Sequence, residues 1–286
     1  MKINDIITQS KPSLSFEVFP PKTSDKYETV STAVKEIAML SPSYISVTYG
    51  AGGGTSIYTT NIAAEIAQYG ITPLAHLSCI SSTKEQIKIQ LDKLDSLGIK
   101  NILALRGDIP HDRIIDNLEY RYASELVRDI NKYGSFCIGG ACYPECHPES
   151  QSMQSDLENL KIKVDCGCEY LTTQMFFDND VFYRFVERAS SVGINVPIVA
   201  GIMPITSYSQ IARIVDLSGN ALPADLRSIL DKYKDDQLSL RQAGLEYASK
   251  QAREIYESGY NAIHIYTMNK PDVAKEIQIN LWDIIK

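Results

Sequence analysis

Short apolar runs recur along the chain, separated by longer stretches in which apolar residues return at helical spacing. The runs are Ser13–Phe19, Tyr44–Tyr49, Thr72–Leu77, Asn101–Arg106, Phe136–Cys142, Glu169–Thr173, Val196–Gly201 and Asn261–Tyr266. Each has the length of a strand. The first alternates Leu14, Phe16 and Val18 against Ser15, Glu17 and Phe19, then stops at Pro20-Pro21, because proline cannot continue a ladder. The stretches between runs predict helices over Ser24–Leu40, Ser56–Gln68, Thr83–Leu97, Tyr120–Lys132, Asp180–Val192 and from near Ser150 to Asp165. In the first of these, Val30, Val34, Ile37 and Ala38 share one stripe. The segment Ser207–Ser258 predicts extra helices at Tyr208–Val215, Ala224–Lys232 and Ser239–Ser258, and Pro271–Ile285 reads as a terminal helix. A strand–helix alternation of this kind closes most simply into an α/β fold of the (β/α)8 TIM-barrel type, here with extra helices before the last strand. Barrels of ~250 residues are single domains. With no linker rich in Gly, Pro or Ser, residues 1–286 read as one domain.

A barrel of this type carries its active site at the carboxyl ends of the strands. At or just past those ends stand Glu17, Thr48, Tyr49, His76, Arg106, Asp108, Tyr143, His147, Gln174 and Tyr266. Glu17 points to the face opposite Phe16 and Val18. A carboxyl in a barrel mouth is placed to act as a general acid; its plainer reading is a structural acid paired with a cation. Arg106-Gly107-Asp108 sets a guanidinium and a carboxylate at one strand end. It suits a phosphate or a heterocycle edge, or else a mutual salt bridge. Gly50–Gly54 could bring backbone N–H groups to a phosphate, or simply form a turn. It is not a dinucleotide fingerprint, because Thr55 stands where the third glycine belongs. His76 and His147 follow separate strands and suit a phosphate or ribose, or a satisfied place in the core. His111 reads as a solvated loop residue and His264 as structural. Phe176-Phe177 and Tyr208 suit an aromatic wall for a flat ligand, or plain core.

Composition narrows the classes. The chain has 286 residues and a formal net charge of -7. This excess of acid argues against non-specific nucleic-acid or anionic-membrane binding. No apolar stretch approaches the roughly 20 residues that span a bilayer, and Met1–Lys11 lacks the apolar core of a secretory signal. A cytoplasmic location is the expectation. The six cysteines are Cys79, Cys137, Cys142, Cys146, Cys166 and Cys168. They read as reduced thiols, since neither Cys142-x3-Cys146-His147 nor Cys166-x-Cys168 has structural-zinc spacing. No metal is expected.

The strings Phe16-Glu17-Val18-Phe19-Pro20-Pro21-Lys22, Val47-Thr48-Tyr49-Gly50-Ala51, Ala75-His76-Leu77-Ser78-Cys79-Ile80, Ala104-Leu105-Arg106-Gly107-Asp108, Tyr143-Pro144-Glu145-Cys146-His147-Pro148-Glu149, Thr173-Gln174-Met175-Phe176-Phe177-Asp178 and Gly201-Ile202-Met203-Pro204-Ile205 run in order along the chain, which closes with His264-Ile265-Tyr266-Thr267. Together they resemble the methylenetetrahydrofolate reductase family, in its bacterial single-domain form. The resemblance implies non-covalent FAD and a ping-pong scheme. Hydride passes from NADH or NADPH to FAD and then to 5,10-methylenetetrahydrofolate, giving 5-methyltetrahydrofolate for one-carbon metabolism and methionine biosynthesis. It implies Glu17 as general acid and Asp108 as a pterin contact that tunes the flavin. Gln174 would touch both alternating substrates, Thr48 the nicotinamide nucleotide, and Tyr208 and Lys270 the folate. FAD would be held by Tyr49, Ala51, His76, Arg106, Gly107, Asp108, Tyr122, Ala123, Tyr143, His147, Asp156, Asn159 and Lys163. Three positions depart from the family pattern: Tyr208 where Phe is usual, Lys270 where Arg is usual, and Ile162 where a basic residue is usual. Lys270 keeps charge but loses the bidentate fork. Family members commonly form homo-oligomers, and the cysteines raise the further expectation of a partner subunit or ferredoxin as electron source. Two other readings stay open: a barrel lyase or aldolase on a phosphorylated substrate, although no strand ends in the lysine of a Schiff-base enzyme, and a non-catalytic pterin-binding subunit of a larger complex.

Overall fold

The computed structural model describes residues 1–49, 56–108, 118–134, 136–218 and 221–286, with side chains except at 56 and 216–218. Its strands are β1 (Ser13–Val18), β2 (Ile45–Val47), β3 (Pro73–Ser78), β4 (Asn101–Leu105), β5 (Cys137–Cys142), β6 (Tyr170–Thr173), β7 (Ile198–Ile202) and β8 (Ala262–Tyr266). They form a closed barrel in sequence order. Every pairing is parallel, including that of β8 with β1. The (β/α)8 barrel expected from the alternation is therefore present.

The helices are α1 (Ile3–Ile7), α2 (Tyr27–Ala38), α3 (Ser56–Gln68), α4 (Lys84–Ser96), α5 (Ala123–Tyr133), α6 (Met153–Asp165), α7 (Asn179–Ser191), α8 (Tyr208–Ser218), α9 (Ala224–Lys232), α10 (Gln237–Glu257), α11 (Pro271–Asn280) and α12 (Trp282–Ile285). Their starts follow capping chemistry. The Thr83 and Gln86 side chains form a reciprocal capping box on α4, and Ser152, Asp178 and Asp236 cap α6, α7 and α10. These caps shift several predicted boundaries. The helix expected near Ser150 begins at Met153, and the one expected at Tyr120 begins at Ala123. The single terminal helix expected over Pro271–Ile285 is broken at Leu281. Helices α8, α9 and α10 are the expected insertion before the last strand.

Strand pleating sorts the side chains. Phe16, Val18, Ile45, Val47, Ala75, Leu77, Ile102, Ala104, Ile138, Ala200, Ile202, Ile263 and Ile265 pack in the main apolar cluster with residues of α2, α3, α4, α5, α10 and α11. The alternate positions turn into the barrel. Low in the barrel, Tyr44, Leu74, Leu103, Cys137, Tyr170, Val199 and Ala262 pack with Ile3 and Ile7. Helix α1, which the sequence pattern does not predict, thus plugs this end. Asn101 fastens it by accepting the Ile3 N–H at 2.9 Å and donating to the Met1 and Pro73 carbonyls at 3.1 and 3.2 Å. A largely apolar lower layer leaves the upper layer free to carry the charged and titratable groups. No helix among the described residues is long and apolar enough to cross a membrane.

Candidate active site

Above the plug the barrel opens into a cleft of about 1060 Å³, lined by residues from the ends of its strands and by α6. Its lining includes Glu17, Thr48, Tyr49, His76, Arg106, Gly107, Asp108, Tyr122, Ala123, Tyr143, His147, Asp156, Asn159, Lys163 and Gln174. Of the residues expected to act together, the structure therefore gathers most in one place. Ala51 and the Gly50–Gly54 turn lie outside the described residues, as does His111.

Glu17 is buried at the cleft floor, with 7% of its surface exposed. Its register partners are Ser46 on β2 and Tyr266 on β8. The carboxylate Oε2 lies 3.5 Å from Ser46 Oγ, 3.6 Å from His76 Nε2 and 3.8 Å from His264 Nε2. Proximity alone would make Glu17–His76 an ion pair. Burial of the imidazole outweighs the attraction and pushes the His76 pKa down to about 4, so the ring is neutral near pH 7. Its Nε2 has no hydrogen-bond partner among the described residues, and neither does Thr172 Oγ1 on the same floor. Buried polar atoms of this kind are ordinarily satisfied.

His264 departs from the sequence expectation. It is buried as a structural histidine would be, but it lines the cleft beside Glu17. Its Nδ1 lies 2.7 Å from Ser15 Oγ and its Nε2 3.0 Å from Ser46 Oγ. Ser15 donates its own proton to the Ile263 carbonyl at 3.1 Å. Which ring nitrogen carries the proton decides the direction of both contacts. Ser46 Oγ also donates to Glu17 Oε2 at 3.5 Å, so the carboxyl, Ser46 and His264 form one connected chain. Ser15, Ser46 and His264 are site residues that sequence reasoning missed. The usable signal was alternation: each shares the inward parity of Glu17 on its own strand.

The Arg106–Asp108 corner depends on one glycine. Gly107 has φ +84°, and a Cβ there would meet Ser78 Oγ at 2.0 Å; an L side chain is excluded by both conformation and space. Ser78 Oγ donates to the Arg106 carbonyl at 2.9 Å and fixes the turn. The mutual Arg106–Asp108 bridge considered from sequence is replaced by another. The Arg106 guanidinium forks onto Glu149, with Nη1–Oε2 at 2.5 Å and Nη2–Oε1 at 2.6 Å, and its Nε donates to the Gly107 carbonyl at 3.1 Å. This bidentate bond raises the Arg106 pKa and lowers that of Glu149.

The loop between β5 and α6 is held from below. Asp156 accepts the His147 N–H at 3.1 Å and the Ser150 hydroxyl at 3.0 Å. The Glu149 N–H donates to His147 Nδ1 at 3.1 Å, so a neutral His147 carries its proton on Nε2. Burial, then the charge of Arg106, lowers the His147 pKa. Lys163 enters the cleft from α6, half-buried, and its Nζ donates to the Ala141 carbonyl; desolvation lowers its pKa. After β6, Gln174 accepts the Met175 N–H on Oε1 at 3.0 Å, which leaves its Nε2 as the donor.

Three expected aromatic or basic contacts fall elsewhere. Phe176 and Phe177 are buried core, with Phe176 stacked on Phe182 at 5.3 Å, so they form no cleft wall. Helix α10 pins their loop through Gln251 and Tyr247, which donate to the Phe176 and Phe177 carbonyls at 3.0 and 2.7 Å. Tyr208 is 43% exposed, sits under Lys234, and is absent from the cleft lining. Lys270 donates to Thr206 Oγ1 at 2.8 Å and is likewise outside the lining.

The sequence is similar to known proteins along nearly its whole length. It is 35% identical over 271 residues to the 5,10-methylenetetrahydrofolate reductase of Pectobacterium carotovorum subsp. carotovorum, covering 94% of this chain and 90% of that protein. It is 34% identical over 270 residues to the enzyme of the same name from Escherichia coli (strain K12), with the same coverage. It is 36% identical over 295 residues to methylenetetrahydrofolate reductase (NADH) 1 of Arabidopsis thaliana, covering 98% of this chain but only 50% of the plant protein. The chain thus spans about half the length of the plant relative and nearly all of the bacterial ones. Among solved structures, an uncharacterized protein from Clostridium thermocellum that binds two copies of 5-methyl-5,6,7,8-tetrahydrofolic acid superposes with a TM-score of 0.69 at 14% identity, covering 99% of this chain and 100% of that one. The shared barrel is what that likeness shows. The family model described as methylenetetrahydrofolate reductase matches residues 2–281, and with the two bacterial relatives it establishes that this chain belongs to the methylenetetrahydrofolate reductase family.

Proposed function

We propose that residues 1–286 form one FAD-binding barrel that reduces 5,10-methylenetetrahydrofolate to 5-methyltetrahydrofolate, with NADH or NADPH as the source of hydride. The observation that carries this reading is a buried carboxyl, Glu17, on the floor of a cleft large enough for a dinucleotide. The cleft fits FAD chemically. Arg106 supplies a cation for the diphosphate, His147 an Nε2–H donor, and the unpartnered His76 Nε2 and Thr172 Oγ1 supply polar atoms at the floor. Tyr49, Gly107, Tyr122, Ala123, Tyr143, Asp156, Asn159 and Lys163 complete the cofactor wall in this reading, and the family resemblance adds Ala51. FAD, when bound, supplies a two-electron carrier that alternates between the nicotinamide and the folate.

The chain's own groups do the rest. Opening the imidazolidine ring of the substrate needs a proton on its nitrogen as the iminium forms, and Glu17, buried at the cleft floor, is the group placed to deliver it. Ser46 Oγ, which donates to Glu17 Oε2 at 3.5 Å, helps fix the direction of the carboxyl. Asp108 contacts the pterin and disfavours added negative charge nearby. Gln174 offers Nε2–H to whichever substrate occupies the cleft, and Thr48 contacts the nicotinamide nucleotide. Tyr208 and Lys270 meet the folate only if α8 and the segment before α11 approach the cleft. Purified protein titrated with FAD should turn yellow, bleach with NADH or NADPH under anaerobic conditions, and recover its colour on addition of methylenetetrahydrofolate. Protein that binds no added flavin would defeat the reading.

A further inference from the structure

The cleft lining holds more acid than base. Glu17, Asp108, Glu149 and Asp156 are its carboxyls, and Arg106 and Lys163 are its Lys and Arg cations among the described residues. These groups are not equally available. Both oxygens of Asp156 are engaged by the loop it supports. Lys163 is committed to the Ala141 carbonyl in a desolvated setting that disfavours its charge. Among the described residues Arg106 is therefore the one strong cation the cleft offers a phosphate, and its fork is covered by Glu149. A carboxylate and a phosphate compete for the same two parallel N–H donors.

We propose that Glu149 is an internal competitor for the phosphate site: its carboxylate and the ligand's diphosphate exchange on Arg106, so Glu149 sets the affinity of the cleft for phosphate-bearing ligands. The inference rests on the flavin reading above and concerns a residue to which that reading gives no role. Exposure makes the exchange cheap in one direction. The Glu149 side chain is 62% exposed and regains water when it leaves, whereas Arg106 is 21% exposed and needs a replacement anion. The exchange also leaves the loop intact. The Glu149 backbone N–H stays on His147 Nδ1, so His147 keeps its Nε2–H donor while the carboxylate swings out. A diphosphate entering without this exchange would face uncompensated carboxylates.

The test is a set of flavin-fluorescence titrations of the apoprotein with FAD and with riboflavin, which lacks the diphosphate, on wild type and Glu149→Gln. Glutamine keeps the size of the side chain and removes its charge. The variant should bind FAD about two- to fivefold more tightly, the range an exposed ion pair supplies, with riboflavin affinity unchanged. The dissociation constant of inorganic pyrophosphate, obtained from its competition with FAD and corrected for the FAD affinity of each protein, should fall by the same factor in the variant. Adding Arg106→Gln to Glu149→Gln should erase the gain. An unchanged or weaker FAD affinity in Glu149→Gln would overturn the inference, the weaker result meaning that the carboxylate aims Arg106 rather than occupying it. A wild-type protein that binds neither FAD nor riboflavin is a different failure: it removes the flavin reading itself, and this inference with it.

Discussion

The lower and upper layers of the barrel interior are built by the same strands and differ in almost every physical respect. Below, Tyr44, Leu74, Leu103, Cys137, Tyr170, Val199 and Ala262 close on Ile3 and Ile7. Above, at positions of the same parity, stand Glu17, Ser46, His76, Thr172, Gly201 and His264. The first layer buries apolar surface and contributes stability. The second buries a carboxyl and two imidazoles, which cost stability; polar atoms without partners among the described residues occur in both, Tyr170 Oη below and His76 Nε2 and Thr172 Oγ1 above. Gly201 makes room for the Tyr266 ring in the upper layer, since a Cβ there would meet the Thr173 carbonyl oxygen at 2.4 Å and Tyr266 Oη at 2.5 Å.

This contrast makes substitutions in the two layers fail differently. The largest effect is expected at Glu17. Glu17→Gln should cut methylenetetrahydrofolate turnover by roughly 10²–10⁴-fold, the usual contribution of a general acid, while stopped-flow reduction of the flavin by NADH stays within a few-fold of wild type. Equal loss of both half-reactions would break the assignment of Glu17 to the folate step. In the lower layer, Ile3→Ala should cost about 2–5 kcal/mol in chemical denaturation, with flavin affinity of the folded fraction unchanged. A loss of flavin affinity there would show that the two layers are not independent.

His76 sharpens the comparison through pH. Folded, it stays neutral down to about pH 4; unfolded, it takes a proton near ~6.5. Between those values the unfolded chain binds more protons, so stability is lost as pH falls from ~6.5 toward 4, by up to about 3 kcal/mol. His76→Gln should remove that part of the slope in denaturation curves measured across the window. An unchanged slope would mean that His76 does not stay neutral in the fold. The smallest effect belongs to the fastening of the plug. Asn101→Ala should cost about 1–2 kcal/mol, since it leaves the Ile3 N–H and the Pro73 carbonyl without that partner.

Period-2 alternation on β1 and the rhythm of strand and helix were enough to predict the barrel, the inward direction of Glu17 and the rim position of Arg106, His147 and Gln174. These depend on local pattern, and pleating carries local pattern directly into which way a side chain points. Other features were not legible. Helix α1 is a single short turn whose Ile3–Ile7 pair is too brief a period to stand out, and it forms because the barrel end offers it an apolar socket and Asn101. Phe176-Phe177 and Tyr208 have the composition of a ligand wall, yet α10 holds the first two in the core and α8 carries the third away from the cleft. The grip of Glu149 on Arg106 joins residues 43 positions apart, and the Ser15–His264–Ser46 chain joins three strands. Sequence alone determined the element order and the parity of each strand, because both follow from neighbours along the backbone. Which charges meet, which polar atoms lack partners and which end of the cylinder is sealed were decided only when closure of the barrel brought the first strand against the last.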